Sequence, residues 1–491
     1  MHHTYNIKFF HLRLIYFLTF LFIIKISFAQ KINNIDSVID EYKNDKSLEN
    51  GSISFCLLNA QTSELISEYN SKTILIPAST LKVITTSAAL GILGKNFKYE
   101  TKISYTGFID SINGVLNGNL VLIGSGDPTL NSEYFNSITT NKNVVSDWAK
   151  KIKSLGIKKI NGSIISDISC FENNLPDNWI WGDIGNYFGC IAGGLSYKDN
   201  KLKLYFKTGD KNGDSTFITK CIPYNPKLTY INKVKTGGTG DNSISYGSIY
   251  QNTRWLNGYL PANKDNYEVE ISMPDPAWQC AYELKQALIN EGIKTENDLI
   301  VSDQKINSYQ VLFLHQSPIL SDIIYQTNMH SNNLFAECLL KTISFKKTGF
   351  GSIKDGIKQI TEFWEQRGLN TKELFMTDGS GLSRSNTVST SYLAKLLSKM
   401  YKDKNLYEVI NSSFPVAGKN SSLANLCKGT FAENNLRAKS GYINRARGYV
   451  GYLKSKSGKE LCFAVIFNNY NCTASEAKQK IEKLLIAFAE I

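Results

Sequence analysis

Pro77-Ala78-Ser79-Thr80-Leu81-Lys82-Val83-Ile84-Thr85-Thr86-Ser87-Ala88-Ala89-Leu90 is the stretch on which the reading of this chain turns. From Leu81 to Leu90 it is mostly apolar or small, which predicts a buried helix starting just after Pro77. Ser79 and Lys82 then lie one turn apart on the same helix face. A serine hydroxyl is a poor nucleophile until a base takes its proton, and a neutral lysine can be that base. A serine in the first turn also keeps its backbone N–H free, available to help form an oxyanion hole. Just upstream, Ile53–Leu58 and Leu65–Tyr69 read as two short strands joined across Asn59-Ala60-Gln61-Thr62.

Two later motifs complete the chemistry: Ser331-Asn332-Asn333, then Lys439-Ser440-Gly441. Each has competitors elsewhere in the chain. Ser302-Asp303-Gln304-Lys305 and Ser344-Phe345-Lys346-Lys347 repeat the first spacing, while Lys235-Thr236-Gly237 and Lys347-Thr348-Gly349 match a Lys-Thr-Gly pattern. Context separates them. Lys347-Thr348-Gly349 follows the helical run 334–344, so Gly349 reads as a C-cap glycine. Lys235-Thr236-Gly237 runs into Gly238 and Gly240, a flexible turn, and precedes Ser331. Lys439-Ser440-Gly441 instead opens a β segment that continues through 448–453, a turn at Lys456-Ser457-Gly458-Lys459, and 461–467. An edge strand there could hold a peptide by main-chain pairing.

In this order the three motifs are the signature of penicillin-binding proteins and serine β-lactamases. The chain resembles the D-alanyl-D-alanine carboxypeptidase/endopeptidase family, the low-molecular-mass class C penicillin-binding proteins. Further matches are Gly124-Ser125-Gly126-Asp127-Pro128-Thr129-Leu130, Trp179-Ile180-Trp181-Gly182-Asp183, Ser317-Pro318-Ile319-Leu320-Ser321 and Asp378-Gly379-Ser380-Gly381-Leu382-Ser383-Arg384. The interval from Ser79 to Ser331 is too long for a compact β-lactamase, but suits a family with domains inserted there. The resemblance implies an α+β transpeptidase domain of the penicillin-binding-protein/β-lactamase type. It implies a serine peptidase without cofactor or metal, acting on peptidoglycan stem peptides and inhibited covalently by β-lactams. Ser79 would be the nucleophile and Lys82 the base, its pKa lowered by burial and by Lys439 as a nearby cation. Ser331 would shuttle the proton, Asn333 would fix Lys82 and the substrate amide, and Lys439 with Ser440 would hold the terminal carboxylate. Gly441 and Tyr442 complete the substrate-binding strand, with the backbone N–H of Tyr442 and of Ser79 forming the oxyanion hole. Asn332 reads as a surface helix residue, and 378–384 as a Gly/Ser turn near the site, without a catalytic role. A serine β-lactamase and a non-catalytic wall-binding protein on the same fold remain the alternatives.

Met1–Ala29 reads as a secretory leader: Lys8 and Arg13 ahead of the apolar run 14–24, then Ser27-Phe28-Ala29 before Gln30. That run is short of the ~20 residues that span a bilayer, so the expected location is exported and periplasmic. Losing Lys8, Arg13 and Lys25 removes three from the formal charge of +12. The remaining excess shows no basic cluster with interleaved aromatics, which argues against nucleic-acid binding. It suits a surface facing anionic wall polymer or lipid head groups. Nine cysteines, an odd number, leave at least one unpaired, and Cys338 and Cys462 lie in apolar runs typical of core packing. No Cys/His spacing suggests zinc. Beyond the leader only His315 and His330 remain, and the lysine-based set makes a Ser-His-Asp triad unnecessary.

The mature chain is too long for one hydrophobic core. Residues 30–93 and 310–491 form the expected catalytic domain, split by a non-catalytic insertion at 94–309 that the resemblance divides into two nested domains. The insertion opens with alternating segments 97–105 and 115–123 around Asn113-Gly114, a hairpin signal. Helix 144–155 and strand 159–166 follow, with further strands at 201–207 and 267–272. The last segment carries a Thr473/Glu476 capping box and apolar Ile481, Leu484, Leu485 and Phe488, a helix packed on the sheet or lying on a membrane surface. We predict that Lys439→Ala weakens turnover sharply, removing about 1.5–3 kcal/mol of substrate binding, while Lys235→Ala and Lys347→Ala change it little. Steady-state kinetics on the three variants check this, and a large loss from either of the latter would relocate the third motif.

Overall fold

Strand Glu460–Asn468 is buried along almost its whole length, and its alternation organises the catalytic part of the molecule. Phe463, Val465 and Phe467 enter one hydrophobic core and Cys462, Ala464 and Ile466 another, because successive strand side chains point to opposite faces. The chain is described here by a computed structural model that covers residues 34–135, 143–295 and 297–491. The leader reading at Met1–Ala29 lies outside these residues. Five antiparallel strands form the central sheet in the order Leu65–Tyr69, Ser52–Asn59, Glu460–Asn468, Ala446–Lys454, Arg437–Ile443. The first and last pieces of the chain are thus hydrogen-bonded neighbours, with Ser52 opposite Asn468 and Asn59 opposite Leu461. Arg437–Ile443, which carries the third motif, is the edge strand, bridged only at Arg437 and Ala438 by the segment at Pro415 and Val416.

One face of the sheet packs on helices Lys82–Leu93, Asn333–Thr348 and Thr390–Lys402 through Leu81, Val83, Ile84, Leu339, Leu393 and Leu397. The other face is covered by Asn34–Asn44 and Ala474–Glu490 through Ile39, Ile481, Leu484 and Phe488. Thr473 and Glu476 form the capping box expected of them. Ile481, Leu484, Leu485 and Phe488 of this last helix are fully buried, so the apolar stripe read from the sequence is packed on the sheet. No helix among the described residues is long and apolar enough to cross a membrane. All nine cysteines are free; Cys338 and Cys462 are fully buried.

Between the two catalytic pieces lie two further hydrophobic cores. In the first, helices Val144–Ser154 and Pro276–Asn290 lay Trp148, Ile152, Leu284 and Leu288 on a sheet ordered Leu299–Ser302, Ile164–Asp167, Leu120–Ile123, Glu100–Tyr105, Gln310–Gln316. In the second, Lys201–Lys207 is paired on either side by Phe217–Ile222 and Tyr267–Ser272 around Leu204, Phe206, Val269 and Ile271. Three sequence readings change. The hairpin around Asn113-Gly114 is broken at Gly107 and Gly118, so that its outer and inner halves pair in different sheets. A Cβ at Gly118 would lie 1.8 Å from the Thr106 carbonyl oxygen, an approach only glycine permits. Strand 159–166 likewise divides into Lys159–Ile160 and Ile164–Asp167. Gln310–Gln316, placed by sequence in the catalytic piece, pairs with Glu100–Tyr105 and so closes the inserted sheet.

Phe488 stands 5.4 Å from Phe55 and 6.0 Å from Phe463, ring centre to ring centre. Phe488→Ala should therefore cost about 3–5 kcal/mol of stability, read as an earlier unfolding midpoint in urea. A change within about 0.5 kcal/mol, as at a surface site, would mean that the helix is not packed on the sheet.

Candidate active site

The nucleophile turn is built by strain and close approach. Ala78 adopts φ 48° and Ala78–Leu81 forms a single 3-10 turn before the α-helix begins at Lys82. A left-handed alanine costs on the order of 1–2 kcal/mol, and Ser79 beside it is only half-buried between buried Ala78 and Thr80. The edge strand closes on this turn at Gly441. A Cβ there would sit 2.6 Å from the Pro77 carbonyl oxygen and 3.0 Å from the Ser79 nitrogen, so glycine is what lets the strand come so near.

The second motif is a break between two helices. Leu320–His330 ends at Ser331, whose φ is 57°, and the Asn332 Oδ1 accepts the Phe335 N–H at 3.1 Å to start the next helix. Asn332 is therefore a half-buried N-cap bordering the cleft, not the surface helix residue that its position suggested. The break leaves the Ser331 hydroxyl and the Asn333 amide pointing at the two lysines.

Lys82 is fully buried and its Nζ makes three contacts: Ser79 Oγ at 2.9 Å, Asn333 Oδ1 at 2.6 Å and the Ser380 carbonyl at 2.7 Å. Asn333 in turn donates Nδ2–H to the Phe188 carbonyl at 2.8 Å, which ties the base to the inserted region. Burial lowers the Lys82 pKa from its ordinary 10.5 to about 7, opposed by the carboxylates of Asp378 and Glu337. The expectation that Lys439 is the cation responsible is corrected here. Lys439, also buried, is held well below its usual range by desolvation and then by Lys82. Asp378 and Glu337 favour the charged form of Lys82, while repulsion from Lys82 disfavours that of Lys439. Its Nζ donates to Ser331 Oγ at 2.9 Å and to the Ser440 carbonyl at 2.6 Å.

Ser440 Oγ shares a 2.7 Å hydrogen bond with Ser422 Oγ, and Tyr442 is 51 % exposed with the Arg447 guanidinium 4.7 Å from its ring centre. Ser79, Ser331, Asn333 and Tyr442 line a cleft of about 460 Å³ whose opposite wall comes from Tyr134, Phe188 and Lys201 of the inserted region. The competing motifs lie elsewhere. Lys235 is exposed and reaches Ser215 Oγ, Gly349 caps its helix at φ 81°, and the Ser344 hydroxyl donates to the Phe350 carbonyl.

Sequence reasoning missed how the loop 378–384 is used. Its Ser380 carbonyl is one of the three Lys82 acceptors. Asp378, fully buried, accepts hydrogen bonds from the N–H groups of Gly381 and Ser383, the Asn386 amide and the Trp179 indole. Glu337, one turn beyond Asn333 in the same helix, accepts the N–H groups of Gly379 and Ser380. The available signal was a carboxylate four positions after Asn333, on the same helix face and within the otherwise apolar run 334–340.

A serine on a strained turn with a buried lysine at its side, and a second buried lysine on an adjoining edge strand, defines a serine acyl-transfer enzyme. The chain belongs to the D-Ala-D-Ala carboxypeptidase 3 (S13) family, whose model matches residues 35–490, and is thus a serine-type D-Ala-D-Ala carboxypeptidase, a hydrolase. It is 25% identical over 446 residues to the D-alanyl-D-alanine carboxypeptidase DacB of Haemophilus influenzae, covering 88% of each chain. It is 26% identical over 466 residues to a D-alanyl-D-alanine carboxypeptidase of Actinomadura sp. strain R39, covering 91% of this chain and 84% of that one. In fold it is similar to the crystal structure of penicillin-binding protein 4 from Haemophilus influenzae, with a TM-score of 0.77 and 22% identity over 91% of this chain and 98% of the other.

Neutral Lys82 is the form able to accept a proton, so activity should rise as pH increases through about 7 and fall about tenfold per pH unit below it. Single-turnover rates between pH 5 and 9 test this. A profile flat to pH 5, or a limb near the ordinary lysine value, would contradict it.

Proposed function

We propose that Ser79, Lys82, Ser331, Asn333, Lys439, Ser440, Gly441 and Tyr442 together cut both the terminal D-Ala-D-Ala bond of peptidoglycan stem peptides and the D-amino-acid cross-link between stems. Penicillins acylate the same serine, and the protein works after export, in the periplasm. The observation that carries this reading is the set of three Lys82 contacts. Asn333 Oδ1 and the Ser380 carbonyl can only accept hydrogen bonds. A neutral Lys82 must therefore spend both N–H bonds on them, and its lone pair is left pointing at Ser79 Oγ, 2.9 Å away.

Ser79 attacks the carbonyl of the penultimate D-alanine as its proton passes to Lys82. The N–H groups of Ser79 and Tyr442 bind the oxyanion; the close seat of Gly441 against the nucleophile turn supports this pairing. Ser331, joined to Lys439, passes a proton to the leaving amine. Lys439 is short of counter-charge in the free enzyme, and the substrate carboxylate supplies it, drawing a proton onto the amine as the two pair. Ser440 adds a hydroxyl hydrogen bond to that carboxylate.

Water then resolves the acyl-enzyme. The two carboxylates near Lys82, Asp378 and Glu337, are occupied by backbone N–H groups, which leaves neither placed to activate a deacylating water. A slow-hydrolysing penicillin target is favoured over a β-lactamase on that ground, and the intact set of motif residues argues against a non-catalytic role. The bulkier leaving group of a cross-link needs an open groove, and the cleft walled by Phe188, Tyr134 and Lys201 supplies one. Residues 34–93 and 317–491 act as the catalytic domain, and the two inserted cores as separate domains that build that wall.

A fluorescent penicillin should label the purified mature chain one-to-one, and Ser79→Ala should abolish labelling. Digestion of cross-linked muropeptide dimers should yield both monomers and free D-alanine by mass spectrometry. Labelling that survives Ser79→Ala overturns the nucleophile; released alanine with intact dimers removes the endopeptidase half.

A further inference from the structure

Lys82 is oriented by a carbonyl of a loop that is itself held by two buried carboxylates. The peptide between Ser380 and Gly381 offers its C=O to Lys82 Nζ at 2.7 Å and its N–H to Asp378 Oδ1 at 2.7 Å. Asp378 and the base are therefore joined across a single peptide plane. The two preceding N–H groups, of Gly379 and Ser380, both point at Glu337: Gly379 reaches each carboxylate oxygen at 3.0 Å and Ser380 reaches Oε1 at 2.7 Å. Glu337 is 2 % exposed and shares its helix with Asn333, the other acceptor of Lys82. One helix thus grips the base twice, directly through Asn333 and indirectly through Glu337 and the loop.

We propose that Glu337 is a positioning residue for the lysine base: it fixes the Gly379–Ser380 backbone whose next carbonyl aims the Lys82 amine, and its negative charge favours the protonated form of that amine. The inference rests on Lys82 being the base. The charged and titratable groups facing Glu337 are Lys82 on the nucleophile helix, Asp378 on the loop, Cys190 from the inserted region, and Lys341 one turn on in its own helix. Lys341 is occupied by the carbonyls of Glu172, Asn174 and Ala192, so it is not bonded to Glu337. Burial and then Asp378 push the Glu337 carboxyl up to about 7, the range in which Lys82 titrates. As Glu337 gains a proton, Lys82 loses a stabilising negative neighbour and more readily gives up its own. The pair therefore exchanges charge where a lone buried amine would simply titrate.

Glu337→Gln separates charge from geometry, because the amide oxygen can still accept both the Gly379 and the Ser380 N–H on the side that Oε1 now occupies. Glu337→Asp keeps the charge and withdraws the reach. Acylation by a fluorescent penicillin, measured from pH 5 to 9 and normalised to titrated active sites, is the readout; that normalisation lets a partly unfolded variant still report its limb. For Glu337→Gln the acid limb should move to lower pH by about one unit, the effect of removing one nearby opposite charge. For Glu337→Asp the limb should stay near that of the unaltered protein while the plateau rate drops about tenfold or more, as expected of a misaligned base. A Glu337→Gln limb coincident with the unaltered protein overturns the inference. Failure of the unaltered protein to acylate at all would instead defeat the proposed function.

Discussion

A lysine amine with no access to water constrains everything around Ser79. Moving its pKa from 10.5 to about 7 corresponds to on the order of 5 kcal/mol of lost preference for the ammonium. That loss is what makes lysine useful as a base, and it would be larger still without partners for the polar N–H bonds. The protein supplies three acceptors, each from a different segment: the nucleophile turn, the helix that starts at Asn333, and the loop at Ser380. No segment can shift without breaking one of these contacts. The lysine therefore serves as the junction of the site as well as its proton acceptor.

Chain topology follows from the same need. The nucleophile turn comes from the first catalytic piece and the edge strand from the last, and they are brought together because Ser52–Asn59 pairs with Glu460–Asn468 in the centre of the sheet. Two inserted cores can then be threaded between the pieces without disturbing that pairing. The insertion also returns to the site: the Phe188 carbonyl fixes the Asn333 amide, and the Asp378 carboxylate receives the Trp179 indole N–H. Loss of the inserted region would thus remove contacts from the base itself, besides a wall of the cleft.

Much of this was legible in sequence because it is local. The Ser79–Lys82 spacing, the strand at 65–69, the final hairpin and the Thr473/Glu476 cap are each set by residues within a few positions of one another. Non-local facts were harder. Nothing near Gly118 signals that Thr106 will crowd it, so one long hairpin was expected where two short ones form. Gln310–Gln316 lies at the boundary drawn from sequence, and only its pairing with Glu100–Tyr105 assigns it to the insertion. The loop 378–384 looks like an ordinary Gly/Ser turn until the two carboxylates that hold it, at 337 and 378, are brought together in space. Burial, the largest cause of the Lys82 shift, was expected; its carboxylate neighbours at 337 and 378 were not, because they lie far from it in the chain.

The most direct test is the titration of Lys82 itself. In protein labelled with carbon-13 at lysine Cε, the resonance absent from a Lys82→Ala variant should titrate near pH 7, well apart from surface lysines that titrate near their ordinary value of about 10.4. A Lys82 resonance that remains that of an ammonium up to pH 9 would contradict the account, since such a lysine could not take the Ser79 proton at neutral pH.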